Sequence, residues 1–209
     1  MDSLQRLRRY RKKALIIIAH PDDETLFMGG TIASFKRWNW TILCISDCDI
    51  RYNRRRREEL MRVCRLYGAE GHSVRPHMLG ITKENGSISV QKIEMAIRRF
   101  LNAFGPFDLF FTHNRIGEYG HKTHILVHKA VKNLHLKNVF FFSLSSGGFP
   151  SNLLPGCSQT VFFGADGLRL KRKALLVYSE GSQRTNLSRL KGVVEVAKKT
   201  TCESFLTDN

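Results

Sequence analysis

A histidine and three acidic residues lie close together near the start of the chain, in the motif His20-Pro21-Asp22-Asp23-Glu24. The motif directly follows the apolar run Ala14–Ala19, and Pro21 prevents a strand from simply continuing through it. A helix cap would explain one aspartate, with the histidine as an ordinary surface residue. It does not explain a second aspartate, or a histidine three residues before Asp23. The motif therefore favours a chemical site.

A second group of polar residues, from Glu118 to His124, follows the apolar run Phe107–Thr112. His121 and His124 are three residues apart, so on a helix they would project from one face. Such a pair is a weak signal alone, because many are ordinary surface or core histidines. Here the pair comes soon after a predicted strand, and in parallel α/β sheets ligands bind at the carboxyl ends of the strands. We expect His20 to lie at the same edge.

Two further histidines compete for a role. His128 is four residues after His124 and would share its helix face, whereas His113 ends the preceding predicted strand. We interpret His128 as a packed helix residue, because His121 and His124 are nearer the start of the helix. His113 is placed where it could line a pocket, and the sequence assigns it no role.

These residue types suit a particular chemistry. Two imidazoles and one carboxylate, with positions left open for water, are typical of a catalytic divalent ion. Zn²⁺ is the default for nitrogen and oxygen ligands, and Fe²⁺ or another first-row metal is the alternative. A second carboxylate can act as general base on the bound water, and an extra histidine can stabilise an oxyanion or protonate a leaving amine. The set meets the needs of amide hydrolysis without a nucleophilic serine or cysteine.

The elements that would position these groups alternate between short apolar runs and segments of helical periodicity. Predicted strands cover residues 14–19, 41–46, 73–79, 107–112, 139–144 and 159–163. Predicted helices cover residues 24–38, 54–67, 90–104 and 121–134, a loop covers 145–156, and the end of the chain is expected to form two helical pieces around Ser182. This order predicts an α/β fold with a single Rossmann-like, doubly wound, mostly parallel sheet and helices on both faces.

Length and composition narrow the class of protein. A chain of 209 residues can bury one sizeable core but not comfortably two, and 42% apolar residues exclude a disordered polar chain. Five cysteines without a C-x-x-C pair disfavour a disulfide framework and fit a reducing compartment. No run approaches the roughly 20 apolar residues of a membrane span, and the run before His20 is too short for a signal peptide. A cytoplasmic location is expected.

The formal charge of +16 is unevenly placed. Residues 1–13 contain six lysines and arginines, and residues 51–65 contain seven arginines. Such clusters favour an acidic substrate, an anionic membrane surface or nucleic acid. We therefore divide the chain into a basic N-terminal arm, residues 1–13, and one domain, residues 14–209. Deletion of the arm is expected to leave folding nearly unchanged.

The two motifs together resemble a known family. Ala19 to Glu24, paired with Gly120 to His124, is similar to the LmbE/PIG-L family of metal-dependent N-acetylglucosaminyl deacetylases. The resemblance runs from about residue 14 to 205. It includes an Arg-x-x-Glu pattern at Arg56 and a weaker C-terminal signature at residues 182–183 and 203–205.

The resemblance implies roles for individual residues. The residues that it assigns to metal binding are His20, Asp23 and His124. It implies that Asp22 is the general base and that His121 is the electrophilic or acidic histidine. Arg56 occupies a position that can bind substrate in family members, and Tyr119 occupies one where a tyrosine in some members assists the transition state; both are predicted to bind substrate. The chain departs from the family pattern at Thr123, where many relatives have Asp or Asn, so the motif does not show what orients the neighbouring histidine.

The predicted function is a metal-dependent hydrolase. It would remove an acetyl or other acyl group from the amine of an N-acetylglucosamine-like sugar, and the basic surface favours an anionic, phosphate- or lipid-linked conjugate and peripheral contact with an anionic membrane. The alternative is a basic protein on an α/β scaffold that binds nucleic acid or a membrane surface without catalysis. That alternative leaves the motif at residues 20–24 without a purpose, so nucleic acid is disfavoured as a partner. Metal content separates the two.

Overall fold

The computed structural model describes residues 4–46, 53–81, 88–143, 159–180 and 202–207. The helices are α1 Leu4–Leu7, α2 Asp23–Ser34, α3 Asn53–Ala69, α4 Val90–Phe104, α5 Gly117–Gly120, α6 Lys122–Asn133 and α7 Ala165–Glu180. The strands are β1 Lys13–Ile18, β2 Asn39–Cys44, β3 Ser73–Met78, β4 Leu109–Thr112, β5 Val139–Ser143, β6 Gln159–Phe162 and β7 Cys202–Thr207. None of the helices in these ranges combines the length and apolar character needed to cross a bilayer.

All seven described strands join one sheet in the order β3-β2-β1-β4-β5-β7-β6. Strands β1 to β5 are parallel to one another, and β7 is antiparallel to both β5 and β6. The predicted single, mostly parallel α/β sheet is confirmed. The chain builds outward from β1 to β3 and then returns to place β4 on the other side of β1. The gap above the ends of β1 and β4 is therefore a topological switch point, where ligands bind in this class of fold.

Strand β1 is buried on both faces, as its continuous apolar sequence predicts. Ala14, Ile16 and Ile18 face the core cluster that α2, α3 and α7 cover. Leu15 and Ile17 face the opposite cluster, which α4 and α6 cover. Helices cover both faces of this strand. At the carboxyl end of β1 the chain leaves the sheet and continues directly into the motif at residues 20–24.

Most predicted elements are present, with two notable differences. Helix α3 continues through Gly68 to Ala69 instead of stopping at the glycine. Residues 202–207, expected to be helical, form β7, which fills the space between β5 and β6. Pairing on both sides and burial of Phe205 outweigh the helical periodicity there. The predicted loop at 145–156 and residues 183–201 of the predicted helical piece lie outside the described residues.

The start of the chain packs against the domain. Leu4 is 1% exposed within the main core cluster, and its backbone N–H donates to Gln159 Oε1 at 3.0 Å. The carbonyl oxygen of Leu7 accepts from the indole of Trp38 at 3.2 Å, and Arg8 Nε donates to the carbonyl oxygen of Ser34 at 2.7 Å. These contacts argue against the expectation that the segment can be removed without affecting folding.

Candidate active site

The predicted ligands meet above the carboxyl ends of β1 and β4. The backbone N–H of His20 donates to Asp23 Oδ2 at 2.9 Å, and His20 Nδ1 lies 3.7 Å from the same oxygen. His124 Nε2 lies 3.4 Å from Asp23 Oδ1. The loop after β1 and the start of α6 thus bring Asp23 close to both His20 and His124.

In the described part of the chain, two overlapping sets of donor atoms are close enough together to share a divalent ion, and the predicted set of His20, Asp23 and His124 has two residues in common with each. Ligand atoms at bond lengths of about 2.0–2.2 Å from a tetrahedral ion lie about 3.4 Å apart, close to the observed separations. Among the described residues, donor atoms of His20, His121 and His124 lie within 4.8 Å of one another, and so do those of Asp23, His113 and His124. His124 Nε2 is buried and has no hydrogen-bond partner in the described part of the chain, as expected of an atom that binds an ion.

The protonation of these groups also suits metal binding. Burial lowers the pKa of His20 well below its ordinary value, so its imidazole is neutral and keeps a lone pair. Burial by itself would raise the pKa of Asp23. The neighbouring histidines, chiefly His124 and His113, together outweigh this effect, so the pKa lies well below its usual range. Asp23 is therefore an anionic carboxylate among its histidine neighbours.

Asp22 stands at the start of α2 but does not cap it. Its backbone has φ 116°, and its side chain makes no capping hydrogen bond, which removes the simple capping explanation of the motif. Instead, its Oδ2 accepts from Arg56 Nη2 at 2.7 Å. Burial raises the pKa of Asp22 to about 7 against the opposing effect of Arg56, the range in which a carboxylate can take a proton and return it.

Arg56 is buried and lies against the motif. Its guanidinium donates to Asp22, to Glu59 Oε2 at 2.9 Å and to the carbonyl oxygen of Pro21. Through these bonds helix α3 holds the loop at residues 20–24 from the side. Direct substrate binding by Arg56 stays a prediction; the structure adds that the side chain already has protein partners.

Glu24 supports the same loop from within the core. It is 0% exposed. Its Oε1 accepts from the hydroxyl groups of Tyr178 and Thr25, each at 2.7 Å, and its Oε2 accepts from the backbone N–H of Asp22 at 3.1 Å. The sequence shows Glu24 in the motif but not that Tyr178, on the distant helix α7, is its partner.

His121 and Tyr119 also reach the site. The ring centroid of His121 lies 4.7 Å from that of His20 and 4.5 Å from that of His124. Tyr119 lies 6.0 Å from His121 and 5.5 Å from His124, again between ring centroids. His121 occupies the N-cap of α6 rather than its interior, so the two histidines converge through the turn before the helix and not through a shared helix face.

Two groups that the sequence left without a role lie beside the ligands. His113 stacks on His124 with 3.8 Å between centroids, and its Nε2 is 3.3 Å from Asp23 Oδ2. Glu118 Oε2 contacts the Nδ1 atoms of both histidines. In the sequence, the indication of a role for these two residues is that they lie in or near the second motif. His128 is outside this group: its Nδ1 lies 3.0 Å from the carbonyl oxygen of His113.

Solved structures with the same fold include enzymes with different reactions. N,N'-diacetylchitobiose deacetylase from Pyrococcus horikoshii superposes with a TM-score of 0.68 at 16% identity, over 99% of this chain and 86% of that chain. The zinc-inhibited form of teicoplanin deacetylase superposes with a TM-score of 0.61 at 18% identity, over 94% and 99% of the two chains. The 4-carboxy-2-hydroxymuconate hydratase from Pseudomonas putida gives 0.57 at 13% identity, over 95% and 99%. At these identities the likeness establishes the fold.

Sequence comparisons give the family. An uncharacterized protein of Acanthamoeba polyphaga mimivirus is 22% identical over an alignment of 153 residues that covers 66% of this chain and 64% of that protein. The chain therefore matches somewhat less than two thirds of that relative. The family model described as PIG-L, GlcNAc-PI de-N-acetylase, matches residues 15–135, more than half of the chain and nearly all of the segment from β1 to α6. The predicted resemblance is confirmed: the chain belongs to the PIG-L family.

Proposed function

We propose that the protein is a metal-dependent deacetylase that hydrolyses the N-acetyl group of an N-acetylglucosamine-like sugar carried on an anionic conjugate. The observation that carries the proposal is the cluster of Asp23 and histidine donor atoms, with a second carboxylate, Asp22, next to Asp23 in the chain. Membership of the PIG-L family supports deacetylation, and two of the enzymes that share the fold are deacetylases.

The residues that would hold the ion are His20, Asp23 and His124. Two imidazole nitrogens and one carboxylate oxygen favour Zn²⁺, with Fe²⁺ or another first-row ion as the alternative. A divalent ion bound there would lower the pKa of a coordinated water toward ~7 and polarise the acyl carbonyl.

The chain itself supplies the proton transfers. Asp22 removes a proton from the attacking water, and its hydrogen bond to Arg56 Nη2 keeps the carboxylate oriented while it does so. The ring of His121 lies 4.7 Å from that of His20, and its imidazole donates a hydrogen bond to the developing oxyanion. The leaving amine takes its proton from His121 or from Asp22. Tyr119 lines the same space and contacts the sugar.

An anionic group on the substrate fits the surface beside the site. The first turn of α3 adjoins the loop at Pro21 through Arg56, and Arg54 and Arg57 of this turn are exposed. Arg54 pairs with Glu58 at 3.0 Å, but the two side chains are 94% and 59% exposed, so the pair is weak and can yield to a ligand. Phosphate is an anion whose geometry such arginines match well. The basic start of the chain provides peripheral contact with an anionic membrane.

The test is acetate release from matched sugars. Purified protein loaded with Zn²⁺ is offered N-acetylglucosamine conjugates with a neutral or a phosphate-bearing aglycone, and acetate is quantified with and without a chelator. We expect release that the chelator abolishes and added Zn²⁺ restores, and a higher kcat/KM for the phosphate-bearing conjugates. A protein that purifies without metal, hydrolyses none of these compounds and binds nucleic acid with strong salt dependence would favour the alternative of a basic binding protein.

A further inference from the structure

One buried carboxylate, that of Glu118, is shared by two histidines. Its Oε2 lies 2.6 Å from His124 Nδ1 and 2.9 Å from His113 Nδ1. All three side chains are 0% exposed. Contacts this short at full burial are strong hydrogen bonds, so Glu118 controls how both rings are oriented.

Glu118 is held in place by contacts within the turn that carries it. Its backbone has φ 57°, a conformation that non-glycine residues rarely adopt and that persists only where surrounding contacts enforce it. Those contacts come from Asn114. The backbone N–H of Asn114 donates to Glu118 Oε1 at 2.8 Å, and Asn114 Oδ1 accepts from the backbone N–H of Glu118 at 3.1 Å. Asn114 Nδ2 in turn donates to the carbonyl oxygen of Phe142 at 2.8 Å, which ties the turn to β5.

The hydrogen bonds determine where the ring protons lie. The backbone N–H of Ala19 donates to His113 Nε2 at 2.9 Å, so the proton of His113 is on Nδ1 and is donated to Glu118. The Glu118 carboxylate can only accept, so His124 donates to it from Nδ1, while His124 Nε2 is directed toward Asp23. A histidine ligand commonly donates its other ring N–H to a carboxylate in this way, which sets the tautomer and raises the basicity of the coordinating nitrogen.

We propose that Glu118 is a positioning residue that holds His124 in the tautomer with Nε2 free for the metal. This inference rests on the proposed role of His124 as a ligand. It also answers what the motif left open at Thr123, because the orienting carboxylate for His124 comes from the turn before α6. His113 also donates to Glu118, and its ring packs against that of His124. This packing keeps the imidazole of His124 from rotating away from the Glu118 carboxylate.

The first test uses the unaltered, metal-free protein. Two-dimensional ¹H–¹⁵N spectra that correlate imidazole nitrogens with ring protons distinguish a proton on Nδ1 from one on Nε2. Assignment of His124 comes from a His124→Gln sample. We expect the Nδ1–H tautomer for His124; an Nε2–H tautomer would overturn the proposal regardless of any variant.

The second test replaces Glu118 by glutamine, which keeps the size of the side chain but removes the charge and one acceptor. We expect the Zn²⁺ affinity of Glu118→Gln, measured by competition with a chromogenic chelator, to fall about 10–100-fold, and the His124 tautomer signal to become mixed. The matched control is Glu203→Gln. It removes another buried carboxylate, one that bonds Lys171 and the backbone of α2, so it should lower stability without changing the affinity or the tautomer.

The outcomes separate this inference from the proposed function. Unchanged Zn²⁺ affinity in a folded Glu118→Gln protein overturns the positioning role, and so does an equal loss in Glu203→Gln, because that would indicate a general effect of destabilisation. If no acetyl sugar is hydrolysed but Glu118→Gln still weakens metal binding selectively, the positioning role stands and the proposed reaction is wrong.

Discussion

At the residue scale, two carboxylates of the site sit on backbone conformations that are rare outside glycine. Asp22 has φ 116° and Glu118 has φ 57°, and each buried carboxylate is paired, with Arg56 or with two histidines. Such conformations cost about 1–3 kcal/mol each and cluster at functional sites. The two carboxylates have different proposed roles. Asp22 takes a proton from the attacking water, whereas Glu118 orients the proposed ligand His124.

Replacement of Asp22 by asparagine should separate metal binding from catalysis. An amide side chain cannot accept the proton, so Asp22→Asn should lower kcat by about 10²–10⁴-fold, the usual loss of a general base. The predicted ligands are untouched, so metal content by elemental analysis should equal that of the wild type. A near-normal kcat would show that another group is the base.

The two histidines of the second motif should differ on mutation. His124→Ala removes a proposed ligand, so this variant should purify with substoichiometric metal. His121→Ala leaves the proposed ligands in place and should retain metal, but kcat should fall about 10²–10³-fold, as when an oxyanion donor is lost. Elemental analysis and steady-state kinetics on both variants decide the matter. The opposite pattern would reverse the two roles, and full metal in both would show that neither histidine is a required ligand.

At the element scale, helix α2 is interrupted just after the motif. Met28 has φ −149° and ψ 20°, outside the helical region. The N–H groups of Gly30 and Thr31 donate to the carboxylate of Glu203, at 3.0 and 2.7 Å, as at a helix N-terminus, where an anion is favoured. Lys171 Nζ donates to Glu203 Oε1 at 2.6 Å, so the buried carboxylate also has a cationic partner. Strand β7 and helix α7 thereby hold the second half of α2 behind the site.

Loss of Lys171 should therefore destabilise the fold. Lys171→Met leaves the buried Glu203 carboxylate without its cation, and removing one partner of a buried pair costs about 3–5 kcal/mol. Urea denaturation measures the change in free energy of unfolding. The matched control is Lys173→Met on the same helix, since Lys173 is half exposed and lies 3.8 Å from Glu70. Similar midpoints for Lys171→Met and wild type would mean that the pair contributes little to stability.

At the scale of the whole molecule, the basic start of the chain combines packing and charge on different residues. Leu4 is buried in the core, whereas Arg6, Arg9 and Arg11 lie at least partly at the surface. Deletion of residues 1–13 would therefore mix loss of packing with loss of charge. Single and charge-only substitutions separate the two effects.

Truncation of Leu4 tests the packing. Leu4→Ala should lower the free energy of unfolding by about 2–5 kcal/mol, the range for a buried leucine. The neighbouring exposed position provides the control, and Gln5→Ala should leave stability nearly unchanged. Equal thermal and urea midpoints for all three proteins would show that the start of the chain is dispensable for folding.

Substitution of the surface charges tests the membrane contact. Replacing Arg6, Arg9 and Arg11 by glutamine should weaken binding to vesicles containing phosphatidylserine by on the order of 100-fold, since each such charge contributes about 1 kcal/mol near an anionic surface. The salt dependence of binding should also flatten. A variant with three cations of α7 replaced, Arg169, Arg172 and Lys173, is the matched control. Equal binding by both variants and wild type would remove this role from the arm.

Sequence patterns alone determine the sheet and the position of the site in it. A continuous apolar run such as Ala14–Ala19 must be buried on both faces, and Pro21 ends it, so the polar motif at residues 20–24 has to emerge at the edge of a parallel sheet. The same reasoning places the second motif beyond Phe107–Thr112. These are local patterns, because strand burial and chain reversal depend on residues adjacent in sequence.

Only the tertiary structure decides which groups serve the candidate ligands and base. Arg56 bonds Asp22 across 34 residues, and Tyr178 bonds Glu24 across 154. Glu118 reaches His124 through a turn, Gly117–Gly120, in which Glu118 and both glycines adopt positive φ. Neither periodicity nor composition encodes such pairings, since each depends on where packed elements bring distant side chains. The same holds for β7. Its residues are predicted to be helical from the sequence, and backbone hydrogen bonds to two neighbouring strands make them extended instead.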